Sequence, residues 1–462
     1  MTNHRPNLRR NRVVLYNPRA VFFTMPLALV ALASALDRLP IEVVIIDGRL
    51  ERDPIGAVVE ASKDALCLGV TVLTGAPIRD ALAVSRAVKA AHPQCPIVWG
   101  GWHPSLFADE CLAEPAVDIV VCGQGEAALR EIVKRLLDGE KVTGTVATPL
   151  KDLNELPAHD YSTIAVERYF DLKRARQLDY VSSQGCRFRC AFCADPAVFK
   201  RGWTGLRPER IGDEIEQLHA RYHFDDLAFQ DETFFTHAAR VDALAEEFLR
   251  RDLRITWTAT LRADQACRLG DELFAKTVRS GLRRVMVGVE SGSQVMLDRL
   301  HKDMTIDQVR ATADRCTKHG VGAIFNFIVG FPGETEDCMQ ATLALAKELR
   351  SANPAFETPI FYYRPYPGNP MAEQSAAQGY VFPRGLEAWA DFDYVGGRGP
   401  WMSAAQWQTV ERFKFYTRHA WKPGTWRWPL RAASQWRCNR DWYAMPVEKM
   451  IVDLIRPPQQ VS

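Results

Sequence analysis

Two successive series of short apolar runs, separated by amphipathic stretches of helical length, restrict the folds open to this chain. The first series comprises Val13–Tyr16, Val43–Ile46, Ala65–Val70, Ile97–Trp99 and Ile119–Cys122. Helices are predicted between these runs, for example over Pro26–Arg38 and Ile78–Ala91. Such alternation predicts a parallel sheet covered by helices on both faces, with ligands bound at the carboxyl ends of its strands.

The second series begins at Tyr180-Val181. Its further strand candidates are Asp226–Phe229, Thr256–Ala259, Arg284–Val289, Ala323–Val329 and Thr358–Tyr363. Six strand-helix units predict an open or partial (β/α) barrel, whose chemistry lies at the carboxyl ends of the strands.

With 462 residues, the chain is longer than one hydrophobic core usually organises. Residues 138–175 lose the alternation and contain Pro149 and Pro157, which favours a linker. The α/β chain is therefore divided into a doubly wound sheet domain (1–140), a linker (141–175), a partial barrel (176–375) and a mainly helical region (376–462). Eight of the twelve tryptophans fall between Trp389 and Trp442, so this last region differs in character from the rest.

Charge and cysteine usage restrict the partners and the cellular compartment that the sequence predicts. The formal net charge of +2 gives no reason to expect nucleic acid as a partner. The uncharged run from Ala20 to Leu36 imitates a signal peptide, but Arg19 interrupts it and Pro26 suits a first helical turn, so a buried helix is predicted. Most of the eleven cysteines stand singly in apolar segments, which favours a reducing compartment, the cytoplasm.

Three cysteines form a motif directly after the first strand of the second series: Gly185-Cys186-Arg-Phe-Arg-Cys190-Ala-Phe192-Cys193. Three thiolates on one loop can bind three irons of a [4Fe–4S] cubane and leave the fourth iron open. A structural zinc site would need four ligands, and no second pair lies nearby, since the next histidine is His223. The spacing therefore favours an iron–sulfur cluster.

With this spacing, and with Phe192 before the last cysteine, the sequence resembles the radical S-adenosylmethionine (SAM) superfamily. The resemblance implies that the open iron binds SAM and that an electron from an external flavodoxin or ferredoxin cleaves it to methionine and a 5′-deoxyadenosyl radical. The same resemblance implies further SAM contacts at successive strand ends. They are Asp231 and Glu232 for the amino group, Arg262 for the carboxylate, Glu290 and Ser291 for the ribose, and Gly330 in the segment 330–335 for the adenine.

Glycines and hydroxyls follow three strands of the first series, where they allow a ligand to approach the backbone closely. These loops contain Thr71, Thr74, Gly100, Gly101, His103, Gly123 and Glu126. They resemble the cobalamin-binding domain of cobalamin-dependent radical SAM enzymes, which implies that the nucleotide tail of cobalamin enters the sheet domain. The first loop, Asn17-Pro18-Arg19, lacks a cobalt-ligating histidine, and His103 is interpreted as a structural loop residue.

The family resemblance implies methylation of an unactivated carbon of a small-molecule or lipid-like substrate. The segments 330–335 and 364–370 also resemble the anaerobic cyclases that form a ring on a tetrapyrrole, and a non-catalytic cobalamin or SAM sensor remains an alternative. A tRNA methylthiotransferase is disfavoured, because no additional cluster cysteines are evident. No catalytic base is identified; Tyr362, Tyr363 and Tyr366 could face the active site or belong to the core.

The tryptophan-rich carboxyl-terminal region, for example Trp421 to Trp428, has three interpretations. It could form a helical cap over the barrel, a wall for a flat substrate, or an amphipathic surface in peripheral contact with a membrane. The chain is expected to be a monomer.

Overall fold

The computed structural model describes residues 11–20, 23–392, 397–421 and 428–455. These residues form two compact units. One contains the described residues of Met1–Arg187, Ala194–Glu232 and Val381–Asp393; the other contains those of Phe188–Cys193, Thr233–Tyr380 and Tyr394–Ser462.

The first unit begins with a six-stranded parallel sheet in the order β2-β1-β3-β4-β5-β6. Its elements are β1 (Arg12–Asn17), α1 (Leu27–Ala35), β2 (Glu42–Asp47), α2 (Pro54–Ala61), β3 (Cys67–Thr71), α3 (Pro77–Ala91), β4 (Ile97–Gly100), α4 (Trp102–Leu106), α5 (Ala108–Leu112), β5 (Ile119–Cys122), α6 (Gly125–Leu137) and β6 (Gly144–Ala147). The predicted doubly wound sheet is confirmed.

Helix α1 consists almost entirely of apolar residues because it is buried. Its side chains Leu29 and Ala33 join Val13 and Leu15 of β1 in one hydrophobic cluster. The helical part of the uncharged run that resembles a signal peptide, Leu27–Ala35, therefore contributes to the core of the sheet domain. In the described part of the chain, no helix is both long and apolar enough to cross a membrane.

The segment predicted as a linker, residues 141–175, contains strand β6 and a helix that follows it. Strand β6 pairs in parallel with β5, for example Val146 with Val121. Its residues alternate between half-buried and exposed, so the strand lacks the apolar run by which buried strands are recognised.

The first unit also contains the start of the second series. Its elements are α7 (Val166–Lys173), β7 (Gln177–Tyr180), β8 (Ser183–Gly185), α8 (Asp195–Phe199), β9 (Trp203–Gly205), α9 (Pro208–Tyr222) and β10 (Asp226–Phe229). Strands β7 and β10 pair in parallel, and β8 and β9 form a short antiparallel pair.

The second unit continues the strand-helix alternation. Its elements are α10 (Ala238–Arg250), β11 (Thr256–Leu261), α11 (Ala263–Arg279), β12 (Leu282–Glu290), α12 (Gln294–Arg299), α13 (Ile306–Lys318), β13 (Gly322–Val329), α14 (Glu336–Ala352), β14 (Phe356–Glu357), β15 (Ile360–Tyr362) and α15 (Pro370–Ala377). Strands β11, β12 and β13 pair in parallel in sequence order, and β13 also pairs with both β14 and β15. All six predicted strand positions carry a strand, and the last is split in two.

The carboxyl-terminal region is helical, as predicted. Its helices are α16 (Leu386–Ala390), which belongs to the first unit, and α17 (Ala404–Ala420), α18 (Trp428–Asn439) and α19 (Val447–Ile455) of the second. Helix α17 begins with a capping box between Ser403 and Gln406. Tyr416, Ala420 and Cys438 form a small core between α17 and α18. Most of the segment from Trp421 to Trp428 lies outside the described residues.

Candidate cofactor sites

A cavity of about 240 Å³ lies in the first unit at the carboxyl ends of β3, β4 and β5. The predicted residues that line it are Thr71, Gly100, Gly101, Gly123 and Glu126, together with Glu232 from the barrel series. Its walls are otherwise mainly apolar and include Leu15, Leu27 and Val98. A predominantly apolar concavity with a few polar groups is typical of a ligand site.

Glycine is required where the loops of this cavity approach each other. Gly101 has φ +105°, and a Cβ there would lie 3.0 Å from the Val72 carbonyl oxygen. The hydroxyl of Ser105 donates to Gly101 O at 2.7 Å and accepts from Gly123 N at 3.0 Å. The loops after β4 and β5 are therefore tied together by one side chain.

Thr74 and His103 do not line the cavity. The His103 ring is fully buried, lies 3.2 Å from Thr74 Oγ1 through Nδ1, and packs on Phe107 and Trp389. Burial lowers the pKa of His103 to about 4, so the ring is neutral at physiological pH. This placement agrees with a structural role for His103, and it assigns Thr74 to the same contact.

Two carboxyl groups face the cavity. Glu126 lies 3.4 Å from Gln184 Nε2, and burial raises the pKa of Glu126. Burial, with a smaller contribution from the negative charges of Asp195 and Asp231, raises the pKa of Glu232 to about 7. Both groups can therefore carry a proton more readily than an exposed glutamate.

Asp231 holds the chain segment that leads into the cysteine motif. Its carboxylate accepts hydrogen bonds from the hydroxyls of Ser182 and Ser183, each at 2.6 Å, and from Ser182 N at 2.7 Å. Glu232 accepts from Gly185 N at 3.2 Å. Gly185 has φ +79°, and a Cβ there would collide with Gly202 O. The predicted pair of acidic residues thus fixes the backbone immediately before Cys186.

Cys190 and Cys193 lie on a turn closed by a hydrogen bond from Cys193 N to Cys190 O at 3.2 Å. Ala191, between them, donates to Leu300 O at 2.9 Å and accepts from Met371 N at 3.1 Å. The backbone N–H and C=O of Ala191 are therefore both held by other residues of the second unit. Phe192 packs in a hydrophobic cluster with Phe331 and Tyr363.

Arg262 lies beside one of the cysteines. Its Nη1 is 3.7 Å from Cys190 Sγ, and its guanidinium stacks on Phe188 at 3.8 Å from the ring centroid. Asp264 Oδ1 accepts from its Nε at 2.9 Å, and the Lys302 carbonyl accepts from Nη2. These contacts hold the positive charge of Arg262 beside Cys190.

Glu290 forms a buried ion pair with Lys302, whose Nζ lies 2.6 Å from Glu290 Oε1; the residues are 7% and 6% exposed. Glu290 has φ +69°, a conformation that costs energy for a residue with a Cβ. Gly288 leaves space for the pair, because a Cβ there would lie 2.5 Å from Glu290 Oε1.

The remaining predicted SAM contacts lie at the ends of β12 and β13. The Ser291 hydroxyl is fully buried and lies 3.0 Å from Thr342 Oγ1. Gly330, with φ +76°, donates to Glu334 Oε2 at 2.5 Å. Burial raises the pKa of Glu334 to about 7, and its buried Oε1 has no hydrogen-bond partner in the described part of the chain.

Tyr362 and Tyr363 are both buried in the second unit. The Tyr362 hydroxyl donates to Glu411 at 2.7 Å, and Tyr363 packs between Phe331 and Trp401. Trp401 also donates from Nε1 to Gly330 O. One of the predicted C-terminal tryptophans therefore packs directly at the end of a barrel strand.

The cysteines of the motif differ from most others. Cys186, Cys190 and Cys193 are only half-buried, whereas burial raises the pKa of Cys111 and Cys316 to about 12. Among the described residues, no group of three or more His, Cys, Asp or Glu is placed to hold one metal ion. A cubane needs no such group, because each thiolate binds a different iron.

The chain matches two family models. Residues 15–133 match the B12 binding domain, and residues 180–346 match the radical SAM superfamily. The two matches coincide with the sheet domain and with the series that contains the cysteine motif. The chain therefore combines a B12 binding domain with a radical SAM domain, and it is an enzyme of the radical SAM class.

Curated relatives extend this similarity over most of the chain. An uncharacterized methyltransferase of Pyrococcus horikoshii is 29% identical over 395 residues, which are 80% of this chain and 82% of that protein. The anaerobic magnesium-protoporphyrin IX monomethyl ester cyclase of Rubrivivax gelatinosus is 26% identical over 315 residues, 63% of this chain and 56% of the cyclase. The radical SAM methyltransferase TsrM of Kitasatospora setae, solved with cobalamin and a [4Fe–4S] cluster, shares the fold, with a TM-score of 0.67, 19% identity, and coverage of 80% and 75%.

Several site residues were not predicted from the sequence. Lys302 and Asp264 fix Glu290 and Arg262, Gln184 contacts Glu126, and Asp195 is buried beside Glu232 with its pKa raised by burial to about 6. Only Asp195 carried a signal, because it follows the last cysteine of the motif by two residues. The others are single polar residues without a spacing that relates them to the site.

Proposed function

We propose that this enzyme binds a [4Fe–4S] cluster through Cys186, Cys190 and Cys193, together with SAM and cobalamin, and methylates an unactivated carbon of a small-molecule or lipid-like substrate. The observation that carries the proposal is the cysteine loop itself. Asp231 and Glu232 fix its approach, two backbone hydrogen bonds fix Ala191, and Arg262 lies against Cys190.

The residues present fit both groups. The three cysteines are half-buried and therefore partly accessible, and none of them forms a disulfide. The cavity in the sheet domain is lined by glycines and apolar side chains. Its volume of about 240 Å³ is below the range of ~300–1,000 Å³ for whole drug-sized ligands, so it suits one part of a large cofactor such as the cobalamin tail.

When bound, the cluster and SAM supply a carbon-centred radical that abstracts hydrogen, and cobalamin supplies a transferable methyl group. The protein's own residues prepare these sites. Arg262 lies against Cys190 and is itself oriented by Asp264. The Glu290–Lys302 pair and the Gly330–Glu334 turn shape the ends of β12 and β13.

Anaerobic reconstitution of the full chain tests this proposal. We expect one cubane and one cobalamin per chain and production of 5′-deoxyadenosine with an external flavodoxin- or ferredoxin-type reductant. Cys190→Ala should abolish that product, whereas Cys267→Ala, which changes a half-buried cysteine of α11, should not. SAM cleavage by the Cys190→Ala variant would contradict the cluster assignment. Product formation by an enzyme that contains no cobalamin would contradict the assignment of cobalamin as the second cofactor.

A second candidate is ring formation on a tetrapyrrole, which is supported by the similarity to the anaerobic cyclase. SAM labelled in its methyl group separates the two reactions. Label in the product supports methylation, and an unlabelled product with a new ring supports cyclisation. A non-catalytic sensor does not turn SAM over. Formation of deoxyadenosine would therefore argue against a sensor, even if none of the candidate substrates gave a product.

We also propose the domain limits 1–140, 141–175, 176–375 and 376–462. The two family matches, 15–133 and 180–346, fall inside the first and third of these ranges. A cytoplasmic location and a monomeric state complete the proposal, and the solution mass of the reconstituted enzyme tests the latter.

A further inference from the structure

The carboxyl-terminal helices expose an apolar face. Among the described residues, fourteen large apolar side chains are exposed, and seven of them fall within the short stretch from position 436 to 454. These seven, called the terminal apolar face below, are Trp436, Trp442, Met445, Val447, Met450, Ile451 and Leu454. Single exposed apolar residues are ordinary, but a contiguous set of this size marks an interaction surface.

Helix α19 presents four of these residues on one side. Val447, Met450, Ile451 and Leu454 follow the spacing i, i+3, i+4, i+7, which places them in one stripe, and Leu454 is 83% exposed. The intervening polar residues Glu448, Lys449 and Asp453 lie away from the stripe. Such segregation is typical of a helix that lies in an interface between water and an apolar phase.

Interactions on the other side of α19 fix the orientation of this stripe. Glu448 accepts from the Tyr416 hydroxyl of α17 at 2.9 Å and pairs with Arg437 of α18 at 2.8 Å. Arg437 also donates to the Ala444 and Met445 carbonyls of the connection between α18 and α19. Since the polar side is bound to the protein, the apolar stripe faces outward.

Tryptophan and arginine extend the face at the end of α18. Trp436 and Trp442 pack edge to face, with their ring centroids 5.4 Å apart. The exposed Arg440 guanidinium lies 4.9 Å from the Trp436 ring. Tryptophan with a basic neighbour is typical of protein surfaces that contact membranes. The amphipathic ring lies at the level of the lipid headgroups, and the cation pairs with phosphate.

The charge of this region distinguishes a membrane from a second copy of the chain. Residues 403–462 contain ten Lys and Arg but four Asp and Glu, whereas the whole chain contains 58 and 56. A symmetric dimer through this face would bring two basic regions together, which is unfavourable. Anionic headgroups instead attract the region over a distance of about a Debye length.

We propose that the terminal apolar face docks the enzyme onto the surface of a membrane that contains anionic lipids. The stripe of α19 enters the boundary between headgroups and acyl chains, and exposed basic side chains of the region, such as Arg440, pair with lipid phosphates. This inference goes beyond the proposed reaction and does not depend on it.

Vesicle sedimentation with the full reconstituted chain tests the proposal. The probes are vesicles of phosphatidylcholine alone and of phosphatidylcholine with about one third phosphatidylglycerol, whose anionic surface should attract the basic region. We expect binding to the anionic vesicles and its weakening by salt. The double variant Met450→Glu/Leu454→Glu should lose at least about tenfold in partition, because burial of one such side chain is worth about tenfold or more.

The matched control is Val381→Glu, which changes a side chain that is 80% exposed but lies outside the terminal apolar face. It should bind vesicles as the unchanged protein does, and all variants should keep their far-ultraviolet circular dichroism. Absence of binding to anionic vesicles, equal binding to both vesicle types, or equal losses in the two variants would overturn the proposal. A dimer in the absence of lipid that Met450→Glu/Leu454→Glu dissociates would assign the face to a second copy instead.

Discussion

The buried pair of Lys302 and Glu290 allows a quantitative test of how the end of β12 is held. Lys302→Met keeps a long side chain that can pack beside Phe192 but removes the ammonium group 2.6 Å from Glu290 Oε1. Glu290 is only 7% exposed, so its carboxylate would lose its ion partner in a poorly solvated position. Removing one member of a buried pair typically costs about 3–5 kcal/mol, and we expect a loss in that range.

Urea unfolding of the anaerobically purified variants measures this loss. The control is Lys318→Met, which breaks a pair of similar length with Asp271 (2.7 Å), in which the side chains are 63% and 48% exposed. An exposed pair of this kind contributes about 1 kcal/mol or less. Adding Glu290→Gln to Lys302→Met should restore much of the stability, because a neutral amide does not require the cation. A cost for Lys302→Met no larger than that for Lys318→Met would refute the reasoning.

Three further predictions concern the loops of the two units. Gly185→Ala should lower the iron content after reconstitution, because a Cβ cannot be accommodated there, whereas Gly379→Ala, with a similar φ of +88° but open space, should not. Asp231→Asn should lower the midpoint of thermal unfolding, since one oxygen that accepts two hydroxyl hydrogen bonds is lost or weakened. The folded pKa of Glu334 is raised from 4.5 to about 7, so its contribution to stability is largest below pH 4.5 and is lost as the pH rises through 7. The variant Glu334→Gln should flatten the fall in unfolding midpoint between pH 5 and 8, and the exposed Glu373→Gln should leave it unchanged.

The order of strands and helices was predictable because buried parallel strands are apolar runs bounded by turns. The runs Val13–Tyr16 and Ile119–Cys122 coincide with β1 and β5 to within one residue at each end. Strand β6 escaped prediction because only one face of an edge strand is covered, and Gly144–Ala147 offers no apolar run. The pattern of apolar residues along the sequence reflects burial. It therefore identifies a strand or helix only where that element is buried.

The placement of the candidate cofactor residues at strand ends was predictable, but the contacts of their side chains were not. Asp231 and Arg262 follow strands β10 and β11, as expected for the site. Their partners Ser182 and Lys302 come from other loops, 49 and 40 residues away in the sequence, whereas Asp264 is two residues from Arg262. Whether a carboxylate at a strand end faces a ligand or fixes a loop depends on such contacts, and no local pattern encodes them.

The predicted contacts at the strand ends fall into two groups, according to whether their polar atoms already have hydrogen-bond partners in the protein. Asp231 and Ser291 direct polar atoms at neighbouring residues and hold the loops in place. Glu334 differs, because Oε2 accepts from Gly330 N, while Oε1 is buried without a hydrogen-bond partner in the described part of the chain. Leaving such an atom unpaired costs about 1–3 kcal/mol. A bound group would recover this free energy by donating a hydrogen bond to the carboxylate or by accepting one from the protonated acid. A carboxyl group with a pKa of about 7 can serve in either form near neutral pH. By this criterion Glu334, rather than Asp231 or Ser291, is the side chain at the end of a barrel strand that is prepared to contact a ligand directly.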